Sequence, residues 1–87
     1  MRRNKRMTEH EERERSLAHI KDPDRWLHLG KCPIKRRRGT QMPEVGYLVE
    51  GAGPRVYLGN LFNIRQDDAF TDYASFEAII DDGWVVD

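Results

Sequence analysis

The sequence predicts an α+β fold in which a small antiparallel β-sheet is built on a central hairpin at about residues 45–61. Two further observations add helices to this hairpin. Residues 9–20 are mostly polar and follow a capping signal, and residues 72–82 carry apolar side chains at helical spacing. We therefore expect one small domain over residues 8–87, preceded by a disordered basic tail at residues 1–7.

The N-terminal helix is predicted by a capping box. Thr8 stands three residues before Glu11, so the Thr8 hydroxyl can cap the first turn while the Glu11 carboxylate reaches back. The apolar residues of this segment are Leu17, Ala18 and Ile20. Because only the last turn is apolar, we expect the first two turns to project into solvent or to contact a partner.

The central hairpin joins two arms, VGYLVE and RVYLGNL, through the turn sequence GAGP. A loop of four residues, 51–54, gives the hairpin one wholly apolar face, and a shift of one residue would lose it. On the other face, Tyr57 is a candidate for contact with a partner. The expected core face consists of Tyr47, Val49, Val56 and Leu58. The expected outer face consists of Leu48, Tyr57 and the opposite-charge pair Glu50 and Arg55.

Two shorter strands are expected beside the hairpin. Residues 26–31 alternate in part, and the following Pro33 argues that this strand lies at an edge of the sheet. Residues 84–86 (WVV) are expected to form a short closing strand.

The C-terminal helix is expected over residues 72–82, with Thr71 as its N-cap and Gly83 as its stop signal. Its apolar stripe would pack across the core face of the hairpin. The stripe consists of Tyr73, Phe76, Ile79 and Ile80.

Charge is divided between the two halves of the chain, although the total is zero. Residues 1–39 hold 13 Lys and Arg against 6 Asp and Glu, a net charge of +7, and residues 40–87 hold 2 against 9, a net charge of −7. An asymmetry of this kind is typical of a basic arm that binds anions. The alternative is that the two halves neutralise each other, within one chain or between copies.

Composition argues against several classes of protein. The single cysteine, Cys32, excludes an internal disulfide and fits a reducing compartment. No apolar run approaches the roughly 20 residues that span a bilayer. The basic N-terminus lacks the apolar stretch of a secretory signal. We therefore expect a soluble cytoplasmic protein with no membrane partner.

The strongest site signal is the run of four cations at residues 35–38. Together with the basic tail it offers several phosphate contacts, each of which releases counterions and makes binding depend on salt. The sequence therefore predicts a small non-enzymatic protein that binds RNA, DNA or another polyanion. The expected nucleic-acid-binding residues are Arg2, Arg3, Lys5, Arg6, Lys35, Arg36, Arg37, Arg38 and Tyr57.

The segment VYLGNL, residues 56–61, resembles the first, shorter RNP strand of RNA-recognition motifs. In that family an aromatic residue at the position of Tyr57 stacks on a base from the open face of the sheet, so the resemblance implies a stacking role for Tyr57. The resemblance covers six residues. The second RNP strand of the family would follow another helix and strand, whereas 26 residues follow Leu61 here. We therefore assign the chain to no family.

Metal, cofactor and catalytic sites are not predicted. His28 and Cys32 are spaced as a possible ligand pair, but structural zinc sites ordinarily use at least two cysteines. The same two residues could form a catalytic Cys/His pair, but no residue that would orient the histidine is evident. The sequence GAGP is typical of a turn and does not match a phosphate-binding loop. We expect a buried thiol, an ordinary strand histidine and no enzyme.

The alternative function is that of a regulatory, adaptor or inhibitor protein of the phage accessory type, which binds another protein. Its acidic half would occupy a basic groove, and the two tryptophans would serve as anchors if exposed, although a large aromatic in a small domain more often caps the core. A third alternative is self-association through the opposite-charge halves. The expected protein-binding residues are Trp26, Asp81, Asp82 and Trp84. The other carboxylates assigned to this surface are Asp67, Asp68, Asp72 and Glu77.

Overall fold

Five strands form one antiparallel sheet in the part of the chain that this computed structural model describes, residues 8–36 and 42–87. Two helices pack on one face of the sheet, so the predicted α+β class is confirmed. The predicted tail at residues 1–7 lies outside the described residues. The elements are α1 (Glu9–Ile20), β1 (Lys31–Arg36), β2 (Glu44–Val49), β3 (Arg55–Leu58), β4 (Phe70–Asp72), α2 (Phe76–Asp81) and β5 (Trp84–Val86). The strand order is β4-β3-β2-β1-β5.

Helix α1 begins and ends where the sequence predicts, because its capping box forms. The Thr8 hydroxyl accepts a hydrogen bond from the backbone nitrogen of Glu11 at 3.1 Å, and the Glu11 carboxylate accepts one from the backbone nitrogen of Thr8 at 3.0 Å. The part of α1 that packs on the rest of the protein begins earlier in the helix than its last turn, which was the predicted contact. Ser16 is buried one turn before Ile20, and its Oγ accepts a hydrogen bond from the backbone nitrogen of Val86 at 2.9 Å. Helix α1 therefore covers the outer edge of β5.

The hairpin of β2 and β3 forms, but its register differs by one residue from the prediction. Tyr47 lies opposite Tyr57 because the loop contains five residues, 50–54, and not four. Leu48 and Val56 therefore both point into the core, where they are fully buried. The predicted core face is therefore wrong for Tyr47 and Val49 of β2, whereas Val56 and Leu58 of β3 share the core face as predicted, with Leu58 partly exposed at its margin.

The neighbouring strand β1 explains this register. Its buried residues Cys32 and Ile34 lie opposite Leu48 and Gly46, so one continuous apolar face runs across β1, β2 and β3. Gly46 leaves room for the ring of Trp84, since a Cβ atom at this glycine would lie 3.2 Å from that ring. The contacts of β2 with β1 therefore favour this register over the one that the hairpin sequence predicts by itself.

Strand β1 lies inside the sheet, between β2 and β5, so the predicted strand at residues 26–31 and the predicted edge position of Pro33 are both wrong. The Pro33 carbonyl accepts a hydrogen bond from the backbone nitrogen of Asp87 at 3.0 Å. In a strand the nitrogen and carbonyl of one residue point to the same side, so the proline nitrogen faces the end of β5, where the ladder stops. The bonds between β1 and β2 are therefore not interrupted.

Helix α2 is shorter than predicted. It begins after Ser75, whose Oγ accepts a hydrogen bond from the backbone nitrogen of Ala78 at 3.1 Å, and it ends at Asp81. The preceding residues belong to the sheet, because Asp72 of β4 lies opposite Arg55 of β3 and forms an ion pair with it at 2.6 Å.

The core lies between the helices and one face of the sheet. The largest fully buried side chains are Trp84, Ile20, Ile34, Leu48, Ile79 and Val56.

Within the described residues, neither helix is long and apolar enough to cross a membrane.

Candidate functional site

The two most basic segments of the chain are attached at one end of the fold, which we call the basic end. Residues 1–7 precede Thr8 at the start of α1, and residues 37–41 connect β1 to β2. The cleft at this end is lined by residues of α1, the end of β1, the residue before β2, α2 and β5. Its lining residues at these elements include Glu9, Glu12, Arg13, Lys35, Arg36 and Pro43.

Charge is distributed unevenly between these segments and the rest of the protein. The described residues hold nine Lys and Arg against fifteen Asp and Glu, a net charge of −6. The two undescribed segments hold six cations and no carboxylate, a net charge of +6. The folded body is thus acidic, and its counter-charge is concentrated in two stretches of sequence attached at the basic end. The six cations are Arg2, Arg3, Lys5, Arg6, Arg37 and Arg38.

Arg36, one of the predicted phosphate contacts, is engaged within the protein. Its Nε and Nη2 donate to the Glu44 carboxylate at 2.7 and 3.0 Å, and its Nη1 donates to the Asp82 carboxylate at 2.6 Å. The guanidinium also lies 4.6 Å from the ring centroid of Trp84, and the side chain is only 12% exposed. The hydrogen bond with Glu44 raises the pKa of Arg36 further above its ordinary value. Arg36 and Glu44 are opposite each other in β1 and β2, so this pair joins the two strand ends between which residues 37–41 stand in the sequence.

Asp82 and Trp84, two of the residues predicted to bind a protein, belong to the same internal network. The Asp82 carboxylate accepts a hydrogen bond from the Tyr73 hydroxyl at 2.6 Å, and the Trp84 indole nitrogen donates to that hydroxyl at 3.2 Å. Burial and the bond to Asp82 raise the pKa of Tyr73 above its ordinary value. This network joins α2 and β5 to Arg36 at the end of β1.

Asp81 and Trp26, the other two residues predicted to bind a protein, also have partners within the chain. Asp81 forms an ion pair with Arg13 of α1 at 2.7 Å. Trp26 is buried, and its indole nitrogen donates to the carbonyl oxygen of His19 at 2.9 Å. Since Trp84 is buried as well, neither tryptophan is the exposed anchor that a binding role requires.

Of the two predicted cations that lie within the described residues, Lys35 is more accessible than Arg36. Its side chain is about half exposed, and its Nζ lies 3.8 Å from the Asp87 carboxylate. An exposed ion pair at this distance contributes little and exchanges readily with another anion.

Tyr57 lies on the face opposite the helices, as predicted, but its ring is flanked by aromatic neighbours on both adjacent strands. It stacks on Tyr47 with centroids 5.2 Å apart and planes 9° apart, and Phe70 packs on the other side at 5.7 Å. Arg55 lies 4.0 Å over the Phe70 ring. The outward-facing tyrosine is thus part of a packed row and does not present a free ring face for a base.

This row is anchored by the loop that follows β3. The Tyr47 hydroxyl donates to the Asp68 carboxylate at 2.8 Å, and Tyr47 is buried although it points away from the helices. Burial, together with the bond to Asp68, raises the pKa of Tyr47 to about 12. The connector between β3 and β4 thus covers part of the outer face, which sequence reasoning left open.

Within residues 8–36 and 42–87, no three His, Cys, Asp or Glu side chains are arranged to hold a metal ion. Cys32 is buried, and burial raises the pKa of its thiol to about 11. The thiol is therefore protonated at neutral pH, which disfavours both metal ligation and nucleophilic attack.

Comparison with protein-family models, with curated proteins and with solved structures gives no match.

Sequence reasoning missed one surface, a group of exposed apolar residues in two connectors. Two of them flank His28 in the segment LHLG, and two belong to the segment LFNI after β3. The available signal was the presence of several large apolar residues in loops without helical or strand periodicity. These residues are Leu27, Leu29, Phe62 and Ile64.

Proposed function

We propose that the protein binds nucleic acid, without catalysis, through the two basic segments at its basic end. The observation that carries this proposal is that both segments are attached beside one cleft of a body that is otherwise acidic. Because the described residues have a net charge of −6, electrostatic attraction favours contact of the phosphate backbone with the two basic segments. The proposal locates the protein in the cytoplasm, together with its nucleic-acid partner.

Seven cations form the proposed interface. Arg36 is left out because its donors are used by Glu44 and Asp82, and it instead joins the end of β1 to the start of β2. Tyr57 is left out because its ring is packed between neighbours. The proposed phosphate contacts are Arg2, Arg3, Lys5, Arg6, Lys35, Arg37 and Arg38.

A fluorescence-anisotropy titration tests the proposal, with labelled single-stranded DNA, double-stranded DNA and RNA of equal length at about 50 and 200 mM salt. We expect binding at the lower salt and a large loss at the higher salt. The double substitution Arg37→Glu/Arg38→Glu should abolish binding. The matched control is Arg25→Glu/Arg65→Glu, which makes the same change of charge at exposed residues outside the cleft of the basic end. Absence of binding to all three probes at the lower salt, or equal loss in both double variants, would refute the proposal.

The rival proposal, a protein regulator that uses the acidic half, has less support from the contacts of the described residues. Five of the six assigned carboxylates have hydrogen-bond or ion-pair partners within the chain. Charge reversal at Asp81 and Asp82 should therefore reduce stability and leave nucleic-acid binding intact in the fraction that folds. Self-association through the opposite-charge halves would appear as a dimer in sedimentation at low salt that dissociates at high salt.

A further inference from the structure

A second exposed surface, which we call the apolar groove, lies between the turn before β1 and the turn after β3. It is lined by residues 27, 28, 29 and 31 and by residues 61, 62 and 64. Four of its side chains face solvent to an unusual degree: Leu27 is 87% exposed, Leu29 95%, Phe62 78% and Ile64 43%. Contiguous apolar patches of this kind are typical of interaction sites in folded proteins.

The backbone holds these apolar side chains in place. Leu29 has φ of 51°, and it is the one residue other than glycine with a positive φ among residues 8–36 and 42–87. The turn around it is fixed by hydrogen bonds from the Lys31 nitrogen to the His28 carbonyl at 3.2 Å and from the Glu50 nitrogen to the Gly30 carbonyl at 2.8 Å. The left-handed backbone conformation of Leu29 is unfavourable for a leucine, and its side chain is exposed and gains little packing in return. This pattern is expected where a partner supplies the missing contacts.

The opposite wall of the groove is fixed as well. The Asn60 side chain accepts a hydrogen bond from the backbone nitrogen of Phe62 at 2.8 Å. His28 meets the Phe62 ring edge to face, with centroids 5.4 Å apart. The contact between His28 and Phe62 joins the two walls, so the groove is a defined shape that a ligand can match.

The size and charge of the groove indicate its occupant. The four exposed side chains present an apolar area on the order of 500 Å², so two copies joined through this surface would bury about 1,000 Å², less than stable dimers usually do. A short peptide segment can bind through a smaller buried area than a stable dimer needs. The only charged side chain that lines the groove is Lys31, which has no ion pair within the described residues. A second cation, Arg65, directly follows the lining residue Ile64 in the sequence. A carboxylate is therefore the charge that the occupant should carry.

We propose that the apolar groove docks a short segment of a partner protein that carries two or three large apolar side chains next to an Asp or Glu. The apolar side chains cover Leu27, Leu29 and Phe62, and the carboxylate pairs with Lys31. The groove lies at the Lys31 end of β1, whereas the basic end lies at Arg36. A strand of this length separates the two by roughly 17 Å, so a peptide and a nucleic acid can bind at the same time.

The test is a selection from a display library of random 12-residue peptides on the immobilised full-length protein, followed by anisotropy titration of the selected peptides. We expect the selected peptides to combine large apolar residues with Asp or Glu. Leu27→Ser and Phe62→Ser should each weaken their binding at least tenfold. Met42→Ser is the matched control, because Met42 is an exposed apolar residue outside the groove, and it should leave binding unchanged. Lys31→Glu should weaken the acidic peptides more than their Asn and Gln counterparts.

Several results would overturn the proposal. These are a failure to select any peptide, equal binding by Phe62→Ser and the unsubstituted protein, or selection of basic peptides. A dimer that is lost in Phe62→Ser would assign the groove to a second copy, and nuclear Overhauser contacts between Met1 or Met7 and Phe62 in the free protein would assign it to the N-terminal segment. Nucleic-acid affinity is expected to be the same in Phe62→Ser as in the unsubstituted protein, so failure of this proposal is distinguishable from failure of the proposed function.

Discussion

Replacement of Arg36 by alanine tests whether this residue supports the fold or contacts phosphate. The substitution removes charge-assisted hydrogen bonds to Glu44 and Asp82 and the stacking of the guanidinium on Trp84. Such hydrogen bonds contribute about 1.5–3 kcal/mol each in general, and a cation–π contact about 1 kcal/mol. Because both carboxylates are partly exposed, we expect a total loss of about 2–4 kcal/mol.

That loss is a large part of the stability of a domain of this size, for which about 5–10 kcal/mol is typical. Chemical denaturation followed by circular dichroism measures it as a shift of the midpoint at constant slope. The matched control is Arg55→Ala, which removes an ion pair with the more exposed Asp72 and a contact with the Phe70 ring, and it should lower the midpoint less than Arg36→Ala does. If Arg36→Ala unfolds at the same denaturant concentration as the unsubstituted protein but binds nucleic acid as weakly as Arg37→Ala/Arg38→Ala, our assignment of Arg36 is wrong.

Three further predictions concern the fold. The observed register buries Leu48 and turns the half-buried Val49 to the other face, so Leu48→Ala should cost about 3 kcal/mol and Val49→Ala about 1 kcal/mol in denaturant titrations, and the reverse order would refute it. Gly46→Ala places a Cβ atom 2.7 Å from a backbone carbonyl oxygen of β3, so it should destabilise the protein by about 1–3 kcal/mol, and no loss would show that the sheet has room there. Asp72 and Glu77 have pKa values that cationic partners hold below the ordinary 3.8 and 4.5. Their contribution is therefore present at neutral pH and is lost as the pH falls through the folded-state values, and Asp72→Asn should reduce this acid sensitivity of the thermal midpoint.

The parts of the fold that depend on local sequence were predictable. Helix α1 has the predicted bounds because Thr8 and Glu11 form the capping box by themselves. The two arms of the hairpin were found as well, since their turn residues and apolar content are local features. The register was missed because each arm contains consecutive apolar residues, and only the burial of Cys32 and Ile34 on the adjacent strand decides which of them face the core.

The parts that depend on distant contacts were not predictable. The partners of Arg36 include Asp82, which is 46 residues away, so a run of four cations gave no sign that one of them is internal. Thr71 and Ser75 are equally good capping residues, and the choice of Ser75 follows from the pairing of β4 with β3. The apolar groove was missed because its two walls come from connectors that are about 35 residues apart and meet only in the folded state.

The salt dependence of nucleic-acid binding tests the central claim most directly. The logarithm of the association constant for duplex DNA, plotted against the logarithm of the salt concentration, should have a slope of about −6 if all seven proposed cations contact phosphate. In Arg37→Ala/Arg38→Ala the slope should become shallower by about 2, while Arg25→Ala/Arg65→Ala should keep the original value. A slope near zero, or the same slope in all three proteins, would contradict the proposal that the two basic segments grip the phosphate backbone.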